Sequence, residues 1–270
     1  MSDFETVIFD VQDGVGWLTL NRPEVLNAFN AKMQQELSTI WRNARGNDDI
    51  RCIVLTGAGE KAFCTGIDRT ETMSAPVEER VAGARSTPFH FDDPGENIGP
   101  KSNDLWKPVI AAVNGMAAGG AFYMLGEVDI IIAAENATFF DPHVTYGMAA
   151  SFESMHMLSK MPLGEVLRMQ LLGSHERLSA ARAYDIGLVS EIAPLPDLHD
   201  RAAWVARVIA DRPPLAVQAT LRATWAAHEL SRSQALSLGY AFIGLGTNQD
   251  SIAQGQEAFA SGQRVEWRLR

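Results

Sequence analysis

The sequence predicts an α/β fold in which a covered, largely parallel sheet is followed by a helical tail. Three observations carry this. The runs Cys52–Thr56, Val109–Val113 and Ile130–Ala134 are short and almost uniformly apolar, as strands buried on both faces are. Helical segments separate them, the alternation expected of a layered α/β domain. Beyond Pro194-Leu-Pro196 the pattern turns purely helical, over about 198–211 and then 214–231, which places a boundary near 195 between a core (1–195) and a helical region (196–270).

The elements follow in order. Thr6–Gln12 alternates apolar and polar residues, Asp13-Gly14 turns the chain, and Val15–Leu20 resumes the alternation, a hairpin pattern. Asn30 caps a helix whose apolar stripe is Met33, Leu37, Ile40, Trp41 and Ala44. Cys52–Thr56 ends in Gly57-Ala-Gly59 as a buried strand. Residues 72–107, with Pro76, Pro88, Pro94 and Pro100, read as an irregular insert of the kind that forms lids or binding loops. Two further buried strands, Val109–Val113 and Ile130–Ala134, bracket an apolar helix around Phe122–Leu125.

Composition narrows the function. The 270 residues are 46% hydrophobic and 21% charged, ordinary for a globular chain, and the net charge of −10 argues against nucleic-acid or anionic-membrane binding. Residues 201–270 are locally basic, with eight arginines and no lysine against five acidic residues; this suits either a phosphorylated small molecule or a solvated helical surface. The richest apolar stretch, Pro108–Phe140, is broken by Asn114, Glu127, Asp129 and several glycines, so no membrane span is expected. Cys52 and Cys64 lack metal-ligand spacing, and the chain starts without a signal-peptide pattern; a reduced, cytoplasmic protein is expected. Nothing in the sequence suggests a metal or a tightly bound cofactor.

Two glycine-bearing turns carry the chemistry. Lys61-Ala-Phe-Cys-Thr-Gly-Ile-Asp68 follows a buried strand, and Val113-Asn-Gly-Met-Ala-Ala-Gly-Gly-Ala121 lies between a buried strand and a helix. Such turns leave backbone N–H groups unpaired at a positive helix end. Two that converge can hold the oxygen of a polarised carbonyl. Taken singly, each turn is as well explained by close packing.

Together and in this order, with Asn21–Ala28, Asp129–Phe140, Leu171-Leu-Gly173, Ser179-Ala180, Gly187–Ser190 and Gly255–Phe259, these segments resemble the enoyl-CoA hydratase/isomerase (crotonase) superfamily over essentially the whole chain. The resemblance implies a ββα-spiral core with a C-terminal helical trimerisation region, and an acyl-CoA thioester as substrate, coenzyme A entering as part of it. It implies a homotrimer or homohexamer. It further implies an oxyanion hole formed by the N–H groups of Ile67 and Gly120, with the glycine at 120 clearing the substrate's approach. A groove would be lined by Val25, Thr65, Gly66, Asp68, Gly119 and Pro142. Arg264 and Trp267 would reach the nucleotide end, unless they are merely solvated.

The sequence departs from the family where its two acid/base glutamates stand: Tyr123 and His143 occupy those places. His143 becomes the leading proton carrier, since imidazole titrates near neutrality. Glu153, ten residues on, would orient it or act directly. Tyr123 would donate to the acyl chain or pack. Glu127, one turn further along the same helix, offers a carboxylate from another direction; Asp141 would cap a turn, and His90 would arrive from the insert. Three functions remain open: hydratase/isomerase chemistry through a thioester enolate, C–C hydrolysis of a β-diketone or β-keto thioester by histidine-activated water, and acyl-CoA binding without turnover.

Overall fold

The computed structural model describes residues 4–72, 93–262, 265 and 267–270. The N-terminal hairpin pairs β1 (Val7–Gln12) with β2 (Val15–Leu20), Gln12 opposite Val15. Both turn residues, Asp13 and Gly14, have positive φ (51° and 79°), which a two-residue turn needs to match the strand twist. Asn30 accepts a hydrogen bond from the Met33 N–H (2.9 Å) and opens α1 (Ala31–Arg45), whose predicted stripe is wholly buried.

The chain then winds between two sheets. β3 (Cys52–Gly57), β5 (Val109–Val113) and β7 (Ile130–Ala134) lie side by side and parallel in a six-stranded sheet of order β1-β2-β3-β5-β7-β10, where β10 is Glu191–Ala193. Each of the three is followed by a short strand in a second sheet: β4 (Ala62–Cys64), β6 (Met116–Ala118) and β8 (Thr138–Phe140), closed by β9 (Leu178–Ser179). Helices follow: α2 (Arg69–Thr72) after β4, and α4 (Ala121–Glu127) after β6, with α3 (Gly95–Ile98) in the connection between them. After β8 come α5 (Phe152–Leu158) and α6 (Leu163–Leu172). This is the ββα spiral.

Both faces of β3, β5 and β7 are covered, which explains why these strands carry no polar alternation. Ile53, Leu55, Val109, Ala111 and Ala133 join the main core with α1 and α4. Their neighbours Val54, Ile110, Ala112 and Ile132 face a second core under the helix Leu198–Ala210, which contributes Ala202, Ala206 and Ala210. That helix lies beyond the boundary expected at 195, yet it is a layer of the core. The expected helical tail continues as Pro214–Glu229, Arg232–Gly246 and Gln249–Ala260, the first two packed on each other.

Asn27 fastens the segment that enters α1. Its backbone is left-handed (φ 56°) and its side chain is fully buried. The carboxamide accepts from the Arg22 N–H (3.0 Å) and donates to the carbonyls of Ala58 (3.0 Å) and Ala62 (2.9 Å), tying this segment to the ends of β3 and β4. Asn27→Ala removes all three bonds and places an unfavourable residue at positive φ. We expect it to lower unfolding free energy by about 3 kcal/mol, read from the urea midpoint at unchanged slope.

Candidate active site

The site is assembled at one edge of the small sheet. β4, β6 and β8 are mutually parallel, with Cys64 opposite Ala117 and Ala118 opposite Phe140, so the segments leaving their C-terminal ends emerge together. The first is Thr65–Asp68. Here Phe29 donates its N–H to the Gly66 carbonyl (2.9 Å) and accepts from the Asp68 N–H (2.8 Å), a parallel bridge centred on Ile67. The Ile67 N–H points the other way and has no acceptor among the described residues. The second segment is Gly119-Gly120, at the start of α4. The Gly120 N–H also lacks an intramolecular acceptor among the described residues, as first-turn N–H groups do.

The two loops touch. A Cβ on Gly66 (φ +87°) would lie 2.9 Å from the Gly120 nitrogen, and a Cβ on Gly120 would lie 2.8 Å from the Phe29 ring. The need for glycine at 120 was expected to come from the substrate's approach. The structure adds a second reason, the phenyl ring packed against it.

The third segment brings an imidazole and two carboxyl groups. A Cβ on Gly119 would meet His143 Cε1 at 3.5 Å, so the imidazole stands beside the second loop. His143 Nδ1 lies 2.6 Å from Asp141 Oδ1, and the same oxygen accepts the His143 backbone N–H at 2.9 Å. Asp141 is fully buried and its Oδ2 has no hydrogen-bond partner among the described residues. With Asp141 accepting at Nδ1, the neutral ring keeps its proton there and presents Nε2 as the base. Nε2 is 3.6 Å from Glu153 Oε1. Donor atoms of Asp141, His143 and Glu153 lie within 4.8 Å of one another, close enough to hold a metal ion. The hydrogen bond at Nδ1 already occupies one of the two ring nitrogens.

Surroundings tune these groups. The hydrogen bond that His143 donates to Asp141 holds the His143 pKa above its ordinary value, against an opposing effect of burial. Burial pushes Glu153 up, towards the protonated form. Burial also raises Tyr123, reinforced by the nearby carboxylates of Glu153 and Asp93; its hydroxyl donates to Asp93 Oδ2 at 3.1 Å. Tyr123 is therefore a hydrogen-bonding phenol at any physiological pH.

A cleft of about 170 Å³ joins Thr65, Gly66, Ile67, Gly119, Gly120, Tyr123, Pro142, His143 and Glu153, so most residues expected at the site share one space. Two depart from expectation. Asp68 is buried and turned to Arg22 Nη2 (2.9 Å) and to Thr70, so its carboxylate anchors the loop and does not line the cleft. Val25 sits in the 3-10 turn Pro23–Val25, also outside the lining. Glu127 shares a helix with Tyr123, but its carboxylate accepts from the Ser102 N–H (2.8 Å) and hydroxyl and belongs to the Gly99–Ser102 turn. Trp267 is exposed in the tail; Arg264 and His90 lie outside the described residues. Sequence reasoning passed over Phe29, Arg69, Asp93 and Tyr146. It also read Asp141 only as a turn cap, although Asp-Pro-His puts the two polar residues two apart in one short turn.

Similarity to known proteins agrees with this geometry. The profile of the family described as Enoyl-CoA hydratase/isomerase matches residues 10–270. An (E)-benzylidenesuccinyl-CoA hydratase from Thauera aromatica is 33% identical over 97% of this chain and 98% of its own. A 1,2-epoxyphenylacetyl-CoA isomerase from Escherichia coli is 34% identical over 77% of this chain and 78% of its own. The crystal structure of an enoyl-CoA hydratase/isomerase from Mycobacterium paratuberculosis superimposes with a TM-score of 0.85 at 34% identity, covering 99% of this chain and all of that one. Fold, order of motifs and sequence similarity coincide, and the chain belongs to the enoyl-CoA hydratase/isomerase family, within the crotonase superfamily.

Proposed function

We propose that the protein moves a proton on an acyl-CoA thioester, with the thioester oxygen held by the Ile67 and Gly120 N–H groups and His143 as the proton carrier. The observation that carries this reading is the pair of unpaired N–H groups on touching loops, with an oriented imidazole beside them. As His143 Nε2 removes the α- or γ-proton, negative charge gathers on the thioester oxygen. Both N–H bonds strengthen as it does, which is the difference in binding that lowers a barrier. Asp141 fixes the ring and stabilises the imidazolium as it forms. Glu153, held towards its neutral form, supplies a proton to the other carbon or to departing hydroxide; the first outcome is double-bond migration and the second is the reverse of hydration. Thr65, Gly66, Gly119 and Pro142 shape the space around the thioester, and Tyr123 holds Asp93 at its wall. Relatives named for both hydration and isomerisation support the class.

A second reading rests on the Asp141–His143 hydrogen bond, which also suits activation of water for attack on a β-diketone or β-keto thioester. Exchange of the α-proton of butyryl-CoA and crotonyl-CoA in deuterated water separates the readings. We expect exchange in the wild type and a loss of about a hundredfold or more in His143→Ala. Binding without exchange, together with carboxylate release from a β-diketone, would establish the hydrolase; binding with neither would leave an acyl-CoA-binding protein.

The pH dependence follows from the cause of the shift. His143 must be neutral to accept a proton, and Asp141 raises its pKa above the ordinary 6.5. The exchange rate should therefore climb with pH through a midpoint above that value. In Asp141→Asn the raising charge is gone, so the midpoint should move to lower pH while the plateau falls with loss of ring orientation. An unchanged midpoint in this variant would show that Asp141 does not set it.

We further infer a homotrimer, alone or paired as a hexamer. Leu236, Tyr240, Ile243, Leu245 and Phe259 stand exposed on the helical tail, an apolar surface that association would cover. Light scattering should give three or six chain masses. No helix among the described residues is long and apolar enough to cross a membrane. Cys52 and Cys64 are free and buried, with thiols pushed up to about 12 by burial, which suits a reducing cytoplasm.

A further inference from the structure

The cleft holds a charge that proton transfer does not use. Arg69 opens α2 directly after Asp68, and it lines the same space as Gly120 and His143. Its guanidinium carbon lies 4.3 Å from the centre of the Tyr146 ring, and Tyr146 also lines the cleft. The adjacent carboxylate is not its partner, since Asp68 is paired with Arg22. Elsewhere some arginines, such as Arg22 and Arg168, sit against a carboxylate, and others, such as Arg177 over the Phe140 ring, do not. Among the described residues Arg69 has no ion pair.

A guanidinium held over a ring spends none of its N–H groups on a charged partner and has them to offer. Those donors form a fork that matches a carboxylate bidentately. The ring holds the guanidinium beside the cleft without neutralising its charge. A neutral acyl chain has nothing to give this group.

We propose that Arg69 binds a carboxylate carried by the acyl group, so that the favoured substrates are coenzyme A monothioesters of dicarboxylic acids. The inference rests on the reading above, in which the thioester carbonyl lies between Ile67 and Gly120; from that anchor the acyl chain shares its space with Arg69. The chemistry recognised is that of an oxyanion, which the phosphates of coenzyme A also present, so the test separates the two sources.

Calorimetric titration with saturated thioesters needs no turnover. Succinyl-CoA is compared with butyryl-CoA, glutaryl-CoA with valeryl-CoA, and free coenzyme A serves as reference, in wild type, Arg69→Met and Arg69→Lys. We expect the wild type to bind the acidic member of at least one pair about tenfold more tightly, Arg69→Lys to keep part of that preference, and Arg69→Met to lose it. Absence of any preference in the wild type overturns the proposal. So does an Arg69→Met variant that weakens acidic thioester, neutral thioester and free coenzyme A by one common factor, which would make Arg69 a phosphate contact. Because the readout is a ratio of affinities, it is independent of whether α-proton exchange occurs, and the two proposals fail separately.

Discussion

The parallel pairing of β4, β6 and β8 is the constraint on which the rest of this molecule depends. Parallel strands release their chains at a common edge, and three strands of three residues each deliver Thr65–Asp68, Gly119-Gly120 and Asp141–His143 to one place. The larger sheet supplies the scaffold for this. Its strands β3, β5 and β7 are each continued by one member of the trio, and their registers fix how the trio lines up. The demand for glycine is a consequence: at Gly66 and Gly120 the loops lie too close to each other and to Phe29 for a side chain to be accommodated. A buried phenyl ring and the approach of the two loops thus share one packing problem.

The electrostatics of the site follow from how unevenly its groups are satisfied. Asp141 spends one oxygen on two bonds to His143 and leaves the other without a partner, an arrangement that makes the imidazole the main counterpart of a fully buried carboxylate. Glu153 lies just beyond hydrogen-bonding distance on the other side of the ring, and burial pushes it towards neutrality. The ring therefore stands between an oxygen that favours its charged form and a carboxyl group inclined to keep its own proton. Glu127, one turn beyond Tyr123, is committed to Ser102 and stays out of this exchange.

Much of the larger sheet was legible in the sequence because its strands are long enough for composition to speak and α1 is long enough to show a stripe. Val109–Val113 and Ile130–Ala134 appear at their predicted bounds. The second sheet was not legible from pattern, since three-residue strands carry no period; it entered through resemblance to a family. The same holds for the site. His143 stood out as a residue type in an unusual place, but its pairing with Asp141 depends on side-chain direction, which spacing does not give. Asp68 was expected at the groove because of its place in a motif, and Arg22, distant in sequence, claims it instead. Arg69 carried no signal of its own: it is one arginine among many, and only the fold shows that it lines the cleft.

Asp141, Pro142 and His143 occupy consecutive positions in one turn, so the imidazole and the carboxylate bonded to it come from a single tripeptide. Many acid/base pairs join distant stretches of chain, and altering them requires coordinated change at separate places. Here Asp141 and His143 leave β8, whereas Gly66 and Gly120 leave β4 and β6, so a change within this tripeptide alters the titratable pair without disturbing the packing of the two glycines on each other and on Phe29.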